Sequence, residues 1–138
     1  MSNSPLNILL VEDDEVDVLN VKRAFDKNHI TNPLFVAGNG LEALNKLRSG
    51  EVPPGRRIVL LDLNMPRMNG IEFLRELRND PLLAPTPVVV LTTSNNDRDK
   101  IDAFNFNVAG YLVKPVTFAD FSELMVTLNK YWTLVEMP

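Results

Sequence analysis

The chain has 138 residues, 45% hydrophobic and 23% charged, which suits one folded domain with a substantial core. Its net charge of −4, with no basic stripe, argues against a nucleic-acid partner, and the absence of cysteine excludes disulfides, thiolate zinc sites and cysteine nucleophiles. The opening Met1-Ser2-Asn3-Ser4-Pro5 lacks the makeup of a signal peptide, and no apolar run is long enough to span a bilayer, so a cytoplasmic protein without a membrane partner is expected.

In chain order, Ile8–Val11 reads as a strand, followed by a helix over Glu15–Lys27 with Val16, Leu19, Val21, Ala24 and Phe25 on one broad side. Leu34–Ala37 is a second strand. The helix after it, Gly40–Arg48, carries Leu41, Ala43, Leu44 and Leu47 and ends at the stop signal Ser49-Gly50. Pro53-Pro54-Gly55 leads into strand Ile58–Leu61, then helix Gly70–Arg78. Prolines 81, 85 and 87 punctuate the way to strand Val88–Leu91, and a short helix over Arg98–Phe104 follows. Strand Tyr111–Val113 and helix Phe118–Val135 complete the pattern. Strands this continuously apolar suit a parallel sheet covered on both faces, so the fold class is α/β, doubly wound and five-stranded. The common order 2-1-3-4-5 serves as the template; it places the ligand crevice at the carboxyl ends of strands one and three.

The residues at those ends carry the chemistry. Strand one runs into Glu12-Asp13-Asp14 and strand three into Asp62-Leu63-Asn64. Neighbouring strands lie about 4.8 Å apart, so Glu12, Asp13 and Asp62 converge. Clustered carboxylates repel unless one is protonated or a cation joins them. Oxygen donors without His or Cys favour Mg²⁺, with the Asn64 backbone carbonyl a plausible further ligand. A plainer alternative is that the first acids only cap the first helix, where negative charge suits its dipole. Thr92 and Lys114 end strands four and five on the same edge. An acceptor carboxylate, a bound cation, an ammonium and a hydroxyl suit in-line phosphoryl transfer, with Asp62 giving an acyl phosphate. Taken singly, a strand-end lysine is usually a solvated charge and a strand threonine usually reflects β-propensity.

With these residues in place, the sequence resembles the response-regulator receiver family of two-component phosphorelay signal transduction over nearly its whole length. The resemblance is carried by Ile8-Leu9-Leu10-Val11-Glu12-Asp13-Asp14, by Leu61-Asp62-Leu63-Asn64-Met65-Pro66-Arg67-Met68-Asn69-Gly70, by Val90-Leu91-Thr92-Thr93-Ser94 and by Gly110-Tyr111-Leu112-Val113-Lys114-Pro115. It implies a flavodoxin-like receiver fold with Asp62 as phosphoacceptor. Glu12 and Asp13 would be the acidic pair for Mg²⁺, for which Mn²⁺ can substitute, and Thr92, Tyr111 and Lys114 the switch and catalytic positions. Asn64, Ser94 and Pro115 border that site. The phosphodonor histidine would come from a sensor histidine kinase, since the lone His29 has no partner histidine. Leu91-Thr92-Thr93-Ser94 and the tail Tyr131-Trp132-Thr133-Leu134-Val135-Glu136-Met137-Pro138 are similar to stand-alone regulators of phytochrome-type kinases.

On phosphorylation Thr92 is expected to turn towards the new oxygens, making room for Tyr111 to rotate inward, with the thinly anchored fourth helix moving. The last helix would reach about 27 Å and overrun the sheet. Tyr131, Trp132, Leu134, Val135 and Met137 then form an apolar patch over residues 118–138, pointing to a homodimer through the fourth and fifth helices, unless they fold back on their own core. Residues 1–138 read as one receiver domain with no output domain after it, leaving a downstream protein or phosphotransfer partner as output. An aspartyl phosphatase is disfavoured because Asn64 stands where a general acid would be needed. A receiver that works without phosphorylation is disfavoured by the full set of site residues.

Overall fold

The computed structural model describes residues 5–136. Ten elements alternate: β1 Asn7–Val11, α1 Glu15–Lys27, β2 Leu34–Ala37, α2 Gly40–Ser49, β3 Arg57–Leu61, α3 Gly70–Asn79, β4 Val88–Thr92, α4 Asp97–Asn105, β5 Gly110–Val113 and α5 Phe118–Leu134. The strands form one parallel sheet in the order β2-β1-β3-β4-β5, as expected.

Side-chain alternation along the strands divides the core. Leu9, Val11, Val59, Leu61, Val88 and Val90 face α2, α3 and α4, meeting Leu44, Phe73, Leu77 and Ala103. Ile8, Leu10, Ile58, Leu60, Val89 and Leu91 face α1 and α5, meeting Val21, Phe25, Phe121 and Met125. The register sets Val11 opposite Leu61, Leu61 opposite Val90, and Thr92 opposite Val113. The carboxyl ends of the four strands therefore lie along one edge.

Helix starts on that edge are capped by side chains. Asp14 accepts from the Val16 and Asp17 amides, Asn96 from Arg98 and Asp99, and Asn69 with Glu72 makes a reciprocal capping box. On the opposite edge Arg78 donates to the carbonyls of Ala84, Thr86 and Phe106 at 2.7 Å each and to that of Asn107 at 3.2 Å, tying two loops together.

Two expectations need correction. Val16 and Leu19 are more than half exposed, so the inner stripe of α1 is narrower than predicted; Val21, Ala24 and Phe25 carry it. Trp132, expected on a surface patch, is only 1% exposed. It continues the inner stripe of Phe121, Met125 and Leu128 by one helical turn. The end of α1 covers it: Phe25 lies 6.2 Å away, ring centroid to centroid. Trp132 belongs to the same buried cluster as Ile8, Ile58 and Val89 of the sheet and Phe25 of α1. Of the predicted patch, Tyr131 and Leu134 are exposed, Val135 is half-buried, and Met137 lies outside the described residues.

Candidate functional site

Asp62 immediately follows β3, with its amide bonded to the Val11 carbonyl at 3.0 Å, so the end of β3 is fixed to β1. The residue is buried, and its Oδ1 accepts the Thr92 hydroxyl at 2.7 Å and the Asn64 amide at 3.3 Å. Glu12 follows β1 and is also buried, its amide donating to the Ala37 carbonyl at 2.9 Å. Asp13 beside it is exposed. Glu12, Asp13 and Asp62 each offer an oxygen, and these oxygens lie within 4.8 Å of one another. Asp14 turns away to cap α1, so the plainer reading of the acidic run holds for that residue.

Lys114 follows β5, whose end is fixed to β4 by the Lys114 amide and Thr92 carbonyl at 2.8 Å. Its ammonium reaches back across the edge to bond Glu12 Oε1, and stands 3.7 Å from Asp62 Oδ2. A third acid, Asp17 on the first turn of α1, accepts from the same ammonium at 2.8 Å. Sequence reasoning missed this contact. Asp17 lies on a helix rather than at a strand end, and only the fold-back of the lysine brings them together.

Acids outnumber cations in this cluster, and the ionisation follows. Burial alone would lower the Lys114 pKa, but its bonds to Asp17 and Glu12 and the charge of Asp62 outweigh this and hold it above the ordinary lysine value. Burial pushes Glu12 up to about 7 against the pull of Lys114, helped by the Asp62 charge. A divalent ion would relieve that crowding. Three oxygen donors from carboxylates fit a hard cation.

Ser94 joins three parts of the edge. Its amide donates to Thr92 Oγ1 at 3.3 Å, its carbonyl accepts the Tyr111 hydroxyl at 2.9 Å, and its hydroxyl donates to Asp99 of α4 at 2.6 Å. Thr92 thus already faces Asp62, and Tyr111 is half-buried against the core. Thr92, Ser94 and Tyr111 form one continuous chain of contacts leading away from Asp62. Pro115 is half-buried and the Asn64 side chain is exposed. Met65 is buried and Met68 partly buried, packing against the core.

The β3–α3 loop needs unusual backbone. Arg67 and Met68 adopt φ of 48° and 70° in succession, a conformation that side chains with a Cβ disfavour. Gly70 is required for close approach: a Cβ there would lie 2.7 Å from Leu63 Cα and 2.8 Å from the Asp62 carbonyl oxygen.

A parallel α/β sheet with a buried aspartate, flanking acids, a hydroxyl and a lysine on its carboxyl edge is the architecture of a phospho-accepting signalling domain. The chain belongs to the response regulator receiver domain family, whose model matches residues 8–126. It is 37% identical to the probable methanogenesis regulatory protein FilR2 of Methanothrix harundinacea, covering 95% of this chain and 86% of that protein. It is 36% identical to the response regulator Rcp1 of Synechocystis, covering 95% and 91%. Among solved structures, the phosphorylated cyanobacterial phytochrome response regulator RcpA superposes with a TM-score of 0.88 at 29% identity, covering 98% and 99%. The Mn²⁺-bound form of Rcp1 gives 0.86 at 35% identity, covering 97% and 99%.

Proposed function

We propose that Asp62 is the phosphoacceptor and that this chain works as a single-domain response regulator for a histidine kinase. The observation that carries the reading is the cluster of Glu12, Asp13 and Asp62 with Thr92 and Lys114 on one sheet edge. Thr92 and the Asn64 amide engage Oδ1 of Asp62, which leaves Oδ2, facing Lys114, to attack. The new bond joins Oδ2 to phosphorus; the bond from phosphorus to the donor's imidazole nitrogen breaks, and the histidine departs with that electron pair. Lys114 then neutralises one equatorial oxygen and the Thr92 hydroxyl turns from Asp62 to donate to another. Glu12, Asp13, Asp62 and the Asn64 carbonyl would hold Mg²⁺, or Mn²⁺ in its place, which would supply charge neutralisation. Hydrolysis of the acyl phosphate by the same site returns the resting protein.

Thr92, Ser94 and Tyr111 are linked by hydrogen bonds, so turning the Thr92 hydroxyl to the phosphoryl group shifts the balance between arrangements of α4, β5 and α5. The similarity to Rcp1 and to the phytochrome regulator RcpA supports a phytochrome-type kinase as the partner. Output passes through the α4, β5 and α5 face to a downstream protein or phosphotransfer partner. Ile101, Phe104, Val113, Tyr131 and Leu134 are exposed apolar residues on those elements, and they support a homodimer there. No helix among the described residues is long and apolar enough to cross a membrane.

The test is intact-mass measurement after incubation with a small acyl phosphate, with and without Mg²⁺. A gain of about 80 Da, dependent on the metal and abolished by Asp62→Asn, is expected, and the mass returns to its starting value with time. No gain, or a gain that survives Asp62→Asn, overturns the assignment. Light scattering with and without the donor tests the dimer, and a monomer mass in both rejects it.

A further inference from the structure

Lys114 is asked to serve two purposes. Its side chain is only 7% exposed, so its positive charge must be balanced within the protein. Its partners are Glu12, Asp17 and, at 3.7 Å, Asp62. Two of these three acids belong to the oxygen cluster suited to a divalent ion, so the ion and the ammonium compete for the same carboxylates. Asp17 is the exception. It lies outside that cluster, its amide is held by the Asp14 cap, and its carboxylate is one-third exposed on the first turn of α1.

We propose that Asp17 is a positioning residue that retains Lys114 beside Asp62 while a divalent ion takes the Glu12 carboxylate. The proposal rests on the reading of Glu12, Asp13 and Asp62 as the cation site. With Asp17 present, the ammonium gives up Glu12 without losing its only fixed counter-charge. Without it, the buried lysine leans on Glu12 and Asp62 alone and opposes entry of the ion. A first-turn acid also suits the helix dipole, but Glu15 on the same turn does that while exposed and without bonding the lysine. Glu15 is therefore the internal control for a general field effect.

The experiment measures Mn²⁺ binding to the full chain by calorimetry. The proteins compared are the wild type, Asp17→Asn, Asp17→Glu, Glu15→Gln, Lys114→Met and the Asp17→Asn/Lys114→Met double variant. Asp17→Asn is expected to weaken Mn²⁺ binding roughly fivefold, within the range for side chains in direct contact. Glu15→Gln changes it less than about twofold by comparison, and Asp17→Glu restores most of the loss. The deciding comparison is the double variant. If Asp17 acts through the lysine, Asp17→Asn has no more effect than Glu15→Gln once Lys114 is methionine. A loss that persists undiminished in the Lys114→Met background, or no loss in the single variant, overturns the proposal. Asp13→Asn separates this failure from that of the underlying site: wild-type binding that Asp13→Asn abolishes keeps the cation site while Asp17 falls. Absence of wild-type Mn²⁺ binding, or binding indifferent to Asp13→Asn, removes both.

Discussion

Replacing Trp132 with alanine distinguishes a core tryptophan from an interface one. The side chain is 1% exposed, packs with Phe25 at 6.2 Å and donates from Nε1 to Asn129 Oδ1 at 2.9 Å. Truncating a buried aromatic of this kind costs about 3–5 kcal/mol. The lost hydrogen bond adds little, because Asn129 is half-buried and water can replace the indole. Against a typical total of about 5–15 kcal/mol for a domain, that is a large fraction. At ~3–4 °C per kcal/mol for a chain of this size, the melting temperature falls by about 10–20 °C. Urea unfolding should be followed by far-UV circular dichroism, since the substitution removes the only tryptophan. The midpoint should drop with the slope unchanged, while Trp132→Phe retains most of the stability. A Trp132→Ala protein within about 1 kcal/mol of wild type that has lost a dimer would show that α1 does not cover this residue.

Thr92→Ala removes the hydroxyl bonded to Asp62 and to the Ser94 amide, so it should still gain phosphate but lose the phosphorylation-dependent change in α4. Hydrogen exchange of α4 amides with and without donor reads this, and a full response in the variant counts against the coupling. Gly70→Ala forces a methyl to within 2.8 Å of the Asp62 and Leu63 backbone, so it should lower stability by about 2–4 kcal/mol and slow phosphorylation; calorimetric melting and the mass assay report the two effects. Arg78→Met strips donors from four carbonyls on two loops and should cost about 3 kcal/mol or more by urea unfolding, while leaving phosphate uptake intact. Glu12 has a folded pKa of about 7 against an ordinary 4.5, so burial favours its protonated form. The folded state is thus favoured below about 4.5, and this contribution disappears as pH rises through about 7, by at most about 3 kcal/mol. Melting of the metal-free protein against Glu12→Gln from pH 4 to 8 checks the sign; a wild-type protein that gains stability over the variant as pH rises contradicts it.

Much of the site was legible because a buried parallel strand announces its own end. A run such as Ile58-Val59-Leu60-Leu61 followed by Asp62 puts a charge at the rim of the core, and the same holds for Val11 before Glu12. Once the strand order is known, Glu12, Asp62, Thr92 and Lys114 must share an edge. Contacts made by helices were less accessible. Asp17 and Asp99 meet Lys114 and Ser94 only because of where α1 and α4 sit, and nothing in their sequence surroundings marks them. Trp132 failed for a related reason: the cover that α1 provides through Phe25 is a tertiary fact.

The proposed acceptor and the element expected to respond to it are anchored very differently. All five residues of β3 are buried, whereas α4 buries only Ala103 and holds Asp99 to Ser94 by one side-chain bond. On the proposed reading, phosphoryl transfer would take place on a stiff floor while its readout would hang from a loose hinge. Small solution changes that leave catalysis untouched, such as salt acting on the Ser94–Asp99 contact, should therefore shift the balance of output states before they alter phosphoryl uptake.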